Sequence, residues 1–461
     1  MKHLLSWALA LALAAGWAAA GRAGESPFCK IRVVDADGGW PVPLVELRTT
    51  DQERFVTDNA GVVAFDRLDL MGREVWLEVI GHGYEVAKDG FGYRGARVRP
   101  VAGGELEVRV TRTVPARRVG RMTGGALFNE SRKLGEAVAE LSHGVAGCDS
   151  VQNAVHEGRL WWIWGDTTLA RYPLGIFEAT GATTLPRPAV GLEPPLRFEY
   201  EYFRDAAGAP RAVARMPGPG PTWISALASL KDAEGVAHLV ASYVKIKPPL
   251  EVYEWGLAEW NPQSALLEPV RKLWTKSERS PKAPPTPDGH AALWRDGEGR
   301  EWVYFGNPLP TLRAPARYEA WLDPARWEVL EPQASLESAA GGRVRPHSGS
   351  IAWNAHRGRW VTVFMESGGK PSGHGELWYA EADRPEGPWG TCVKVVTHDN
   401  YTFYNPRVHA EFTPDGGPLL YFEGTYTMQF SGNQRATAAH DYNQVLYRLD
   451  LDDAALAPAR R

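Results

Sequence analysis

Asp149-Ser150-Val151-Gln152-Asn153-Ala154-Val155-His156-Glu157-Gly158-Arg159-Leu160-Trp161-Trp162-Ile163-Trp164-Gly165-Asp166 reads as a β-hairpin. A strand of small and polar residues runs to a Gly-containing turn, and a strongly aromatic strand returns from it. The pattern recurs four times. Trp223-Ile224-Ser225-Ala226-Leu227 passes through Gly235 to His238–Tyr243, and Gly289-His290-Ala291-Ala292-Leu293 passes through Gly299 to Trp302–Asn307. His347-Ser348-Gly349-Ser350-Ile351 passes through Gly358 to Trp360–Glu366, and Asn405-Pro406-Arg407-Val408-His409 passes through Gly417 to Leu419–Glu423. A third strand is expected after each hairpin, at Leu174–Ala179, Val252–Trp260, Tyr318–Leu322, Leu377–Ala382 and Val445–Leu449. Repeats of several strands with starts about 60 to 75 residues apart indicate a propeller, and five of them a five-bladed one over residues 146–453.

Propeller geometry sorts the polar residues. Neighbouring strands in a blade are antiparallel, so the start of strand one and the end of strand two share a face of the disc. That face is expected to gather Asp149, Asp166, Trp223, Ser225, Tyr243, Asp288, His290, Asn307, His347, Glu366, Arg407, His409 and Glu423, with Glu376 opening a third strand. Carboxylates, imidazoles and aromatics around a central depression make a candidate site. Asp149, Asp166, Glu366 and Glu423 are the candidate catalytic carboxylates. Trp223, Asp288, His290, His347, Glu376, Arg407 and His409 are candidate substrate-binding residues. Each has a structural alternative. Asp166 can cap a turn, Glu423 can pair with Arg407 or His409, and a histidine on an inner strand can be a hydrogen-bonded core residue.

Residues 25–113 have a different grammar: about seven short strands with tight turns, including a hairpin expected at Phe55–Thr57 and Val62–Phe65. This indicates a β-sandwich. The run Val33-Val34-Asp35 through Gly38, Pro41 and Pro43 to Leu47, then Thr57-Asp58-Asn59-Ala60-Gly61-Val62-Val63-Ala64-Phe65, then Leu77 to Gly81-His82-Gly83-Tyr84, resembles the carboxypeptidase-regulatory-like (transthyretin-like) sandwich. The resemblance implies a non-catalytic accessory. Residues 114–145 are expected to be a linker, with a short helix around Leu134–Leu141. The whole chain is expected to be all-β, a sandwich followed by the propeller.

Composition excludes several classes. In 461 residues, 51 Lys and Arg against 55 Asp and Glu give a net charge of −4, with no basic block for nucleic acid. No apolar run beyond the N-terminus is long enough to span a bilayer. Residues 1–24 read as a secretory signal, with Lys2 ahead of an apolar stretch from Leu4 to Ala15 and small residues at Ala18-Ala19-Ala20. The mature protein is expected to be secreted or periplasmic, and monomeric. Cys29, Cys148 and Cys392 are an odd number, so at least one is unpaired, and buried inert thiols are expected for most of them. No H-x-x-x-H or H-E-x-x-H spacing occurs, so no metal ligands are assigned and no cofactor is required. A structural calcium ion on the axis would need only carbonyl and carboxylate oxygens.

Clustered carboxylates in an aromatic-lined exported propeller suit glycoside hydrolysis, in which one carboxyl delivers a proton and another is ionised. Cys148-Asp149-Ser150-Val151 and Trp164-Gly165-Asp166-Thr167 resemble the five-bladed propellers of the family 43 glycoside hydrolases and their sucrase-type and endo-arabinanase-like relatives. That resemblance puts Asp149 at the general-base position. The family's second acid would fall at Thr222-Trp223-Ile224-Ser225, and its Glu proton donor at Asp288-Gly289-His290; this chain has neither there. Three readings stay open. One is a hydrolase with Asp149 as base or nucleophile and a Glu from unit four or five as acid. A second is a polysaccharide lyase using His290, His347, His409, Tyr404 and Arg407. The third is a non-catalytic carbohydrate-binding or envelope protein. All three have a polysaccharide or oligosaccharide as partner.

Overall fold

A computed structural model describes residues 26–139, 142–186, 192–413 and 416–460; the export segment expected at 1–24 lies outside them. Five four-stranded antiparallel sheets follow one another and form the propeller. Blade one is Gln152–His156, Arg159–Trp164, Thr180–Thr184 and Glu201–Tyr202, and blade two is Thr222–Lys231, Ala237–Lys247, Glu251–Asn261 and Leu266–Thr275. Blade three is His290–Arg295, Glu301–Gly306, Pro310–Pro315 and Glu328–Val329, and blade four is Pro346–Asn354, Arg359–Glu366, Leu377–Ala382 and Val393–Val396. Blade five is Thr402–His409, Leu419–Thr427, Asn443–Asp450 and, outermost, Arg117–Arg121. The second strands are buried on both faces, as at Trp162, Ile163 and Trp164 or Val361, Val363 and Phe364, which is why they read as continuous apolar runs.

Three local expectations are corrected. Tyr318–Leu322 is a helix that buries Ala320 and Trp321; the third strand of its blade is Pro310–Pro315, whose Pro310, Leu312 and Ala314 face inward. Flanking prolines disguise that alternation. In blade one the third strand is Thr180–Thr184, not Leu174–Ala179. Tyr172–Ile176 instead joins Val145–Cys148 and Thr167–Leu169 in a small separate sheet. The segment 114–145, expected as a linker, supplies the outer strand of blade five, with Val445 opposite Arg121 and Tyr447 opposite Arg118. Its helix is Glu130–Lys133, capped by Asn129; of the helix expected around Leu134–Leu141, residues 134–139 are not helical and 140–141 lie outside the described residues.

Ahead of this strand, eight strands wrap around one apolar core that includes Ile31, Val33, Leu47, Phe65, Leu77 and Val110. The expected hairpin is absent. Arg54–Val56 pairs with Val45–Thr49, whereas Val62–Phe65 pairs with Cys29–Asp35. Asp58 explains the departure. Its Oδ1 accepts from the Ala60 and Val62 amides and its Oδ2 from Ser131, so the turn carries the chain between pairing partners instead of folding it back.

The sandwich is fastened to blade five through Arg118. This side chain is fully buried and has no carboxylate partner among the described residues. Its guanidinium donates to the carbonyls of Pro43 (2.9 Å), Leu44 (3.1 Å) and His82 and to the Tyr447 hydroxyl (3.0 Å), and it lies over the Tyr84 and Tyr447 rings. His82 adds a bond from its Nε2 to the Tyr426 hydroxyl at 2.8 Å. All three cysteines are buried and unpaired, and burial pushes the Cys148 and Cys392 thiols up to about 12. Among the described residues no helix is long and apolar enough to cross a membrane.

Replacing Arg118 by Met strands several buried carbonyls, each worth roughly 1–3 kcal/mol when left unpaired. R118M is expected to lower the urea midpoint clearly and to make the 114–121 segment sensitive to limited proteolysis. An unchanged midpoint would show that the sandwich is held elsewhere.

Candidate active site

The site begins where one long hairpin changes sheets. Val145–Cys148 pairs with Thr167–Leu169, and Gln152–His156 pairs with Arg159–Trp164. Between them both chains break, at Asp149-Ser150-Val151 on one side and Gly165-Asp166 on the other. The backbones stay tied there: the Asp149 amide donates to the Asp166 carbonyl (3.2 Å) and the Gly165 amide to the Asp149 carbonyl (2.9 Å). Ser150 takes a left-handed conformation, φ 47°. The double break brings the two carboxyl groups together. A Cβ on Gly165 would lie 2.3 Å from Asp149 Oδ1, so Gly is required for the Asp149 carboxylate to occupy its place.

The two groups are electrostatically unequal. Burial raises the pKa of Asp149, but the Tyr404 hydroxyl donates to its Oδ2 at 2.6 Å, and Tyr404 and Tyr442 both favour its ionised form. Burial and then the Asp149 charge push Asp166 up to about 7, eased only by the Trp223 indole. Each keeps a buried Oδ1 without a hydrogen-bond partner among the described residues. Burial thus biases both carboxyls toward the protonated form, and the Asp149 charge adds to that bias at Asp166 while Tyr404 and Tyr442 oppose it at Asp149.

Around them is a cavity of about 610 Å³ at the propeller axis. Seven of the residues expected on this face line it: Asp149, Asp166, Trp223, Ser225, Asp288, His290 and Asn307. Asp288 is exposed, and its Oδ1 accepts from the Ser225 hydroxyl at 2.8 Å. His290 is buried and its pKa is lowered well below the usual value, by burial first and then by Arg407 and His409. Trp255, Phe177, Phe430, Tyr404 and Tyr442 add aromatic wall. Tyr442 and Phe430 come from irregular segments with no repeat signature, so the hairpin alignment missed them.

The other candidates lie outside the cavity lining. Glu423 is fully buried on the second strand of blade five and its Oε1 meets His409 Nε2 at 2.7 Å. His409 Nδ1 meets Glu411 at 2.9 Å; burial opposes the His409 cation, but the two carboxylates outweigh it and raise its pKa. Arg407 stands opposite Glu423 across the strands. Glu423, His409 and Glu411 form a packed ion network, the structural alternative raised for Glu423, while Arg407 keeps its Nε without a partner among the described residues. Glu376 is buried with Lys394 at 2.6 Å and bonds to Thr397. Glu366 accepts from the Trp378 indole at 2.9 Å. His347 is exposed and lies beside His374, the rings tilted with centroids 5.2 Å apart. Tyr243 turns away to Glu254 (3.0 Å). Hence a Glu from blade four or five does not face Asp149; the second carboxyl at the site is Asp166. Among the described residues no three His, Cys, Asp or Glu side chains converge as a metal-binding group.

No protein-family model and no curated protein matches the chain. Solved structures do resemble it. An exo-1,5-alpha-L-arabinanase from a bovine ruminal metagenomic library is 12% identical, with 68% of this chain and 96% of that chain covered and a TM-score of 0.38. The GH43_1 enzyme from Xanthomonas citri complexed with xylose is 11% identical, covering 66% and 87%, with a TM-score of 0.36. A Bacillus subtilis arabinanase is 9% identical, covering 66% and 96%, with a TM-score of 0.34.

The raised pKa of Asp166 has a cost in stability. An unfolded Asp releases its proton near pH 4, whereas the folded one holds it to about 7. Below pH 4 both states are protonated and the fold bears nothing. As pH rises from 4 to 7 the unfolded chain releases its proton first, and the folded state loses stability, by a few kcal/mol at most. D166N is therefore expected to melt higher than wild type at pH 8, with the difference vanishing toward pH 4. A variant that melts lower at pH 8 would mean Asp166 is a structural ion. G165A is expected to keep the fold while displacing the Asp149 carboxylate; circular dichroism and the Asp149 titration by NMR would show both.

Proposed function

We propose that the protein hydrolyses glycosidic bonds, with Asp166 as proton donor and Asp149 as the ionised partner. The observation that carries this reading is the unequal pair: two adjacent carboxyls at the bottom of an aromatic-lined cavity, one held protonated to about 7 and the other oriented as a carboxylate by Tyr404. Glycoside hydrolysis needs this division. Asp166 passes its proton to the leaving oxygen as the bond to the anomeric carbon breaks. Asp149 supports the positive charge that grows on that carbon. Water then supplies the hydroxyl and returns a proton to Asp166. Trp223 and Trp255 offer faces for sugar rings, and Asp288 and Asn307 can accept or donate to ring hydroxyls. The likeness to glycan-cleaving propellers, the export expected from residues 1–24 and the accessory character expected of the sandwich fit the same role.

The test is mass spectrometry of products after incubation with plant, algal and bacterial polysaccharides. Fragments carrying one added water per cut are expected. D149N and D166N should each lower turnover by about 10³-fold or more, since general acid–base assistance alone supplies about 10²–10⁴. Full turnover in either variant, or unsaturated fragments lacking the water, would overturn the assignment. Y404F removes a bond that favours ionised Asp149. Its expected signature is an acid limb of the pH–rate profile shifted upward, with kcat lower by about ten-fold or more and substrate affinity largely kept.

A further inference from the structure

A second hollow, about 770 Å³, lies against the active-site cavity. Phe177 and Leu250 line both, and both are exposed, so the two spaces meet at an apolar rim. Their electrostatics are opposite. The catalytic cavity is lined by Asp149, Asp166 and Asp288 and by no Lys or Arg. The hollow is lined by Arg171, Arg211, Arg215 and Lys247 against Glu178 and Asp205.

Two of these four cations, Arg171 and Arg211, have no carboxylate partner among the described residues. Arg215 is matched by Glu178 at 2.8 Å, and Lys247 lies 3.6 Å from Glu251. Asp205 is occupied by the Ala207 and Ala209 amides (2.9 and 3.0 Å), and Arg211 donates to the Ala265 carbonyl at 2.7 Å rather than to a carboxylate. Arg171 forms no ion pair among the described residues. The chain as a whole is negative, at −4, so a cationic hollow at the mouth of an acidic cavity is not an average property of the surface. Pro210, Pro221, Pro248 and Pro249 stiffen its walls.

We infer that this hollow is a subsite for an anionic sugar unit beside the one that is cleaved, so that the substrate is an acidic glycan bearing carboxylate or sulfate groups. The inference rests on the hydrolase reading for the word substrate, but the binding site stands without it. A guanidinium can donate two N–H groups to two oxygens of either anion, the planar carboxylate or the tetrahedral sulfate. The arrangement also separates the charges usefully: a sugar carboxylate placed beside Asp149 would repel it, whereas one seated past Phe177 is neutralised.

Affinity electrophoresis of the full chain through gels containing polygalacturonate, dextran sulfate or neutral arabinan tests this. Retardation by at least one anionic polymer, weakened by added salt, is expected, and whichever polymer retards identifies carboxylate or sulfate. An R171A/K247A variant should bind that polymer about ten-fold more weakly, the scale of two partly exposed charges, and should melt like wild type. Equal mobility in all three gels, salt-insensitive retention, or retention unchanged in the variant would overturn the subsite. Retention without cleavage would sink the hydrolase reading alone. Cleavage of neutral arabinan with no anionic retention would sink the subsite alone.

Discussion

Five inner strands must converge on one axis without colliding, and a girdle of hydrogen bonds between blades at one height holds them there. Asn405 Nδ2 donates to Ser150 Oγ (2.8 Å), joining blades five and one, and the Asn405 amide donates to Ser348 Oγ (3.2 Å), joining five and four. The Gly349 amide donates to Asn307 Oδ1 (2.8 Å), joining four and three. The Gly289 amide donates to Ser225 Oγ (2.9 Å) and the Ala226 amide to the Gly289 carbonyl (2.8 Å), joining three and two. These bonds need inner-strand amides freed from the blade's own ladder. The chain frees them by left-handed breaks at Ser150, Ala226, Gly289 and Asn405, with φ of 47°, 55°, 70° and 50°. Non-glycine residues bear such φ values at a cost of about 1 kcal/mol or more, which persists only where surrounding bonds over-determine the conformation. At the remaining junction, between blades one and two, the group facing Trp223 is the Asp166 carboxyl. The girdle thus places a titratable acid where its other junctions have Ser, Asn or backbone.

The same geometry explains why the acid is buried. Each break turns a side chain or amide inward, and both carboxyls of blade one are packed into the wall of the cavity these groups line. Two neighbouring carboxylates there would repel each other; one proton between them removes the conflict. Tyr404, with Tyr442, favours the charge on Asp149 against the effect of burial. Tyr404 comes from blade five and reaches Asp149 only because the break at Asn405 redirects the strand just after it. The surroundings of the pair therefore depend on ring closure, through Tyr404, as well as on Gly165 beside Asp166.

What the sequence shows and hides follows from this division. The blades are legible because inner and second strands meet opposite demands: little room near the axis selects Ser, Ala and Gly, and burial on both faces selects Trp, Val and Phe. The carboxyl pair is legible as two residues at the ends of one hairpin, although the hairpin does not show that its two halves belong to different sheets. Third strands are less legible, since prolines frame Pro310–Pro315 while the apolar Tyr318–Leu322 beside it folds as a helix. The outer strand of blade five comes from Arg117–Arg121, hundreds of residues from its partner, and no local pattern marks it. Glu366, Glu376 and Glu423 share a real signal, a carboxylate next to an apolar strand. That signal has two physical solutions, an ion pair or an active site, and only the three-dimensional partners Trp378, Lys394 and His409 separate them.

Arg118 carries the comparison one step further. It too is a buried ionisable group without an opposite charge, yet its surroundings make it inert. Carbonyl oxygens and phenol rings meet its donors on all sides, so the charged state is fully solvated by protein. Asp149 and Asp166 are less deeply buried, and each retains a buried oxygen with no partner among the described residues. Complete satisfaction fixes a charge and fastens two domains. Incomplete satisfaction leaves a proton free to move and an oxygen free to meet a ligand. Glu423 also keeps a buried oxygen without a partner among the described residues, so what sets the Asp149–Asp166 pair apart from it is that the pair lines the cavity.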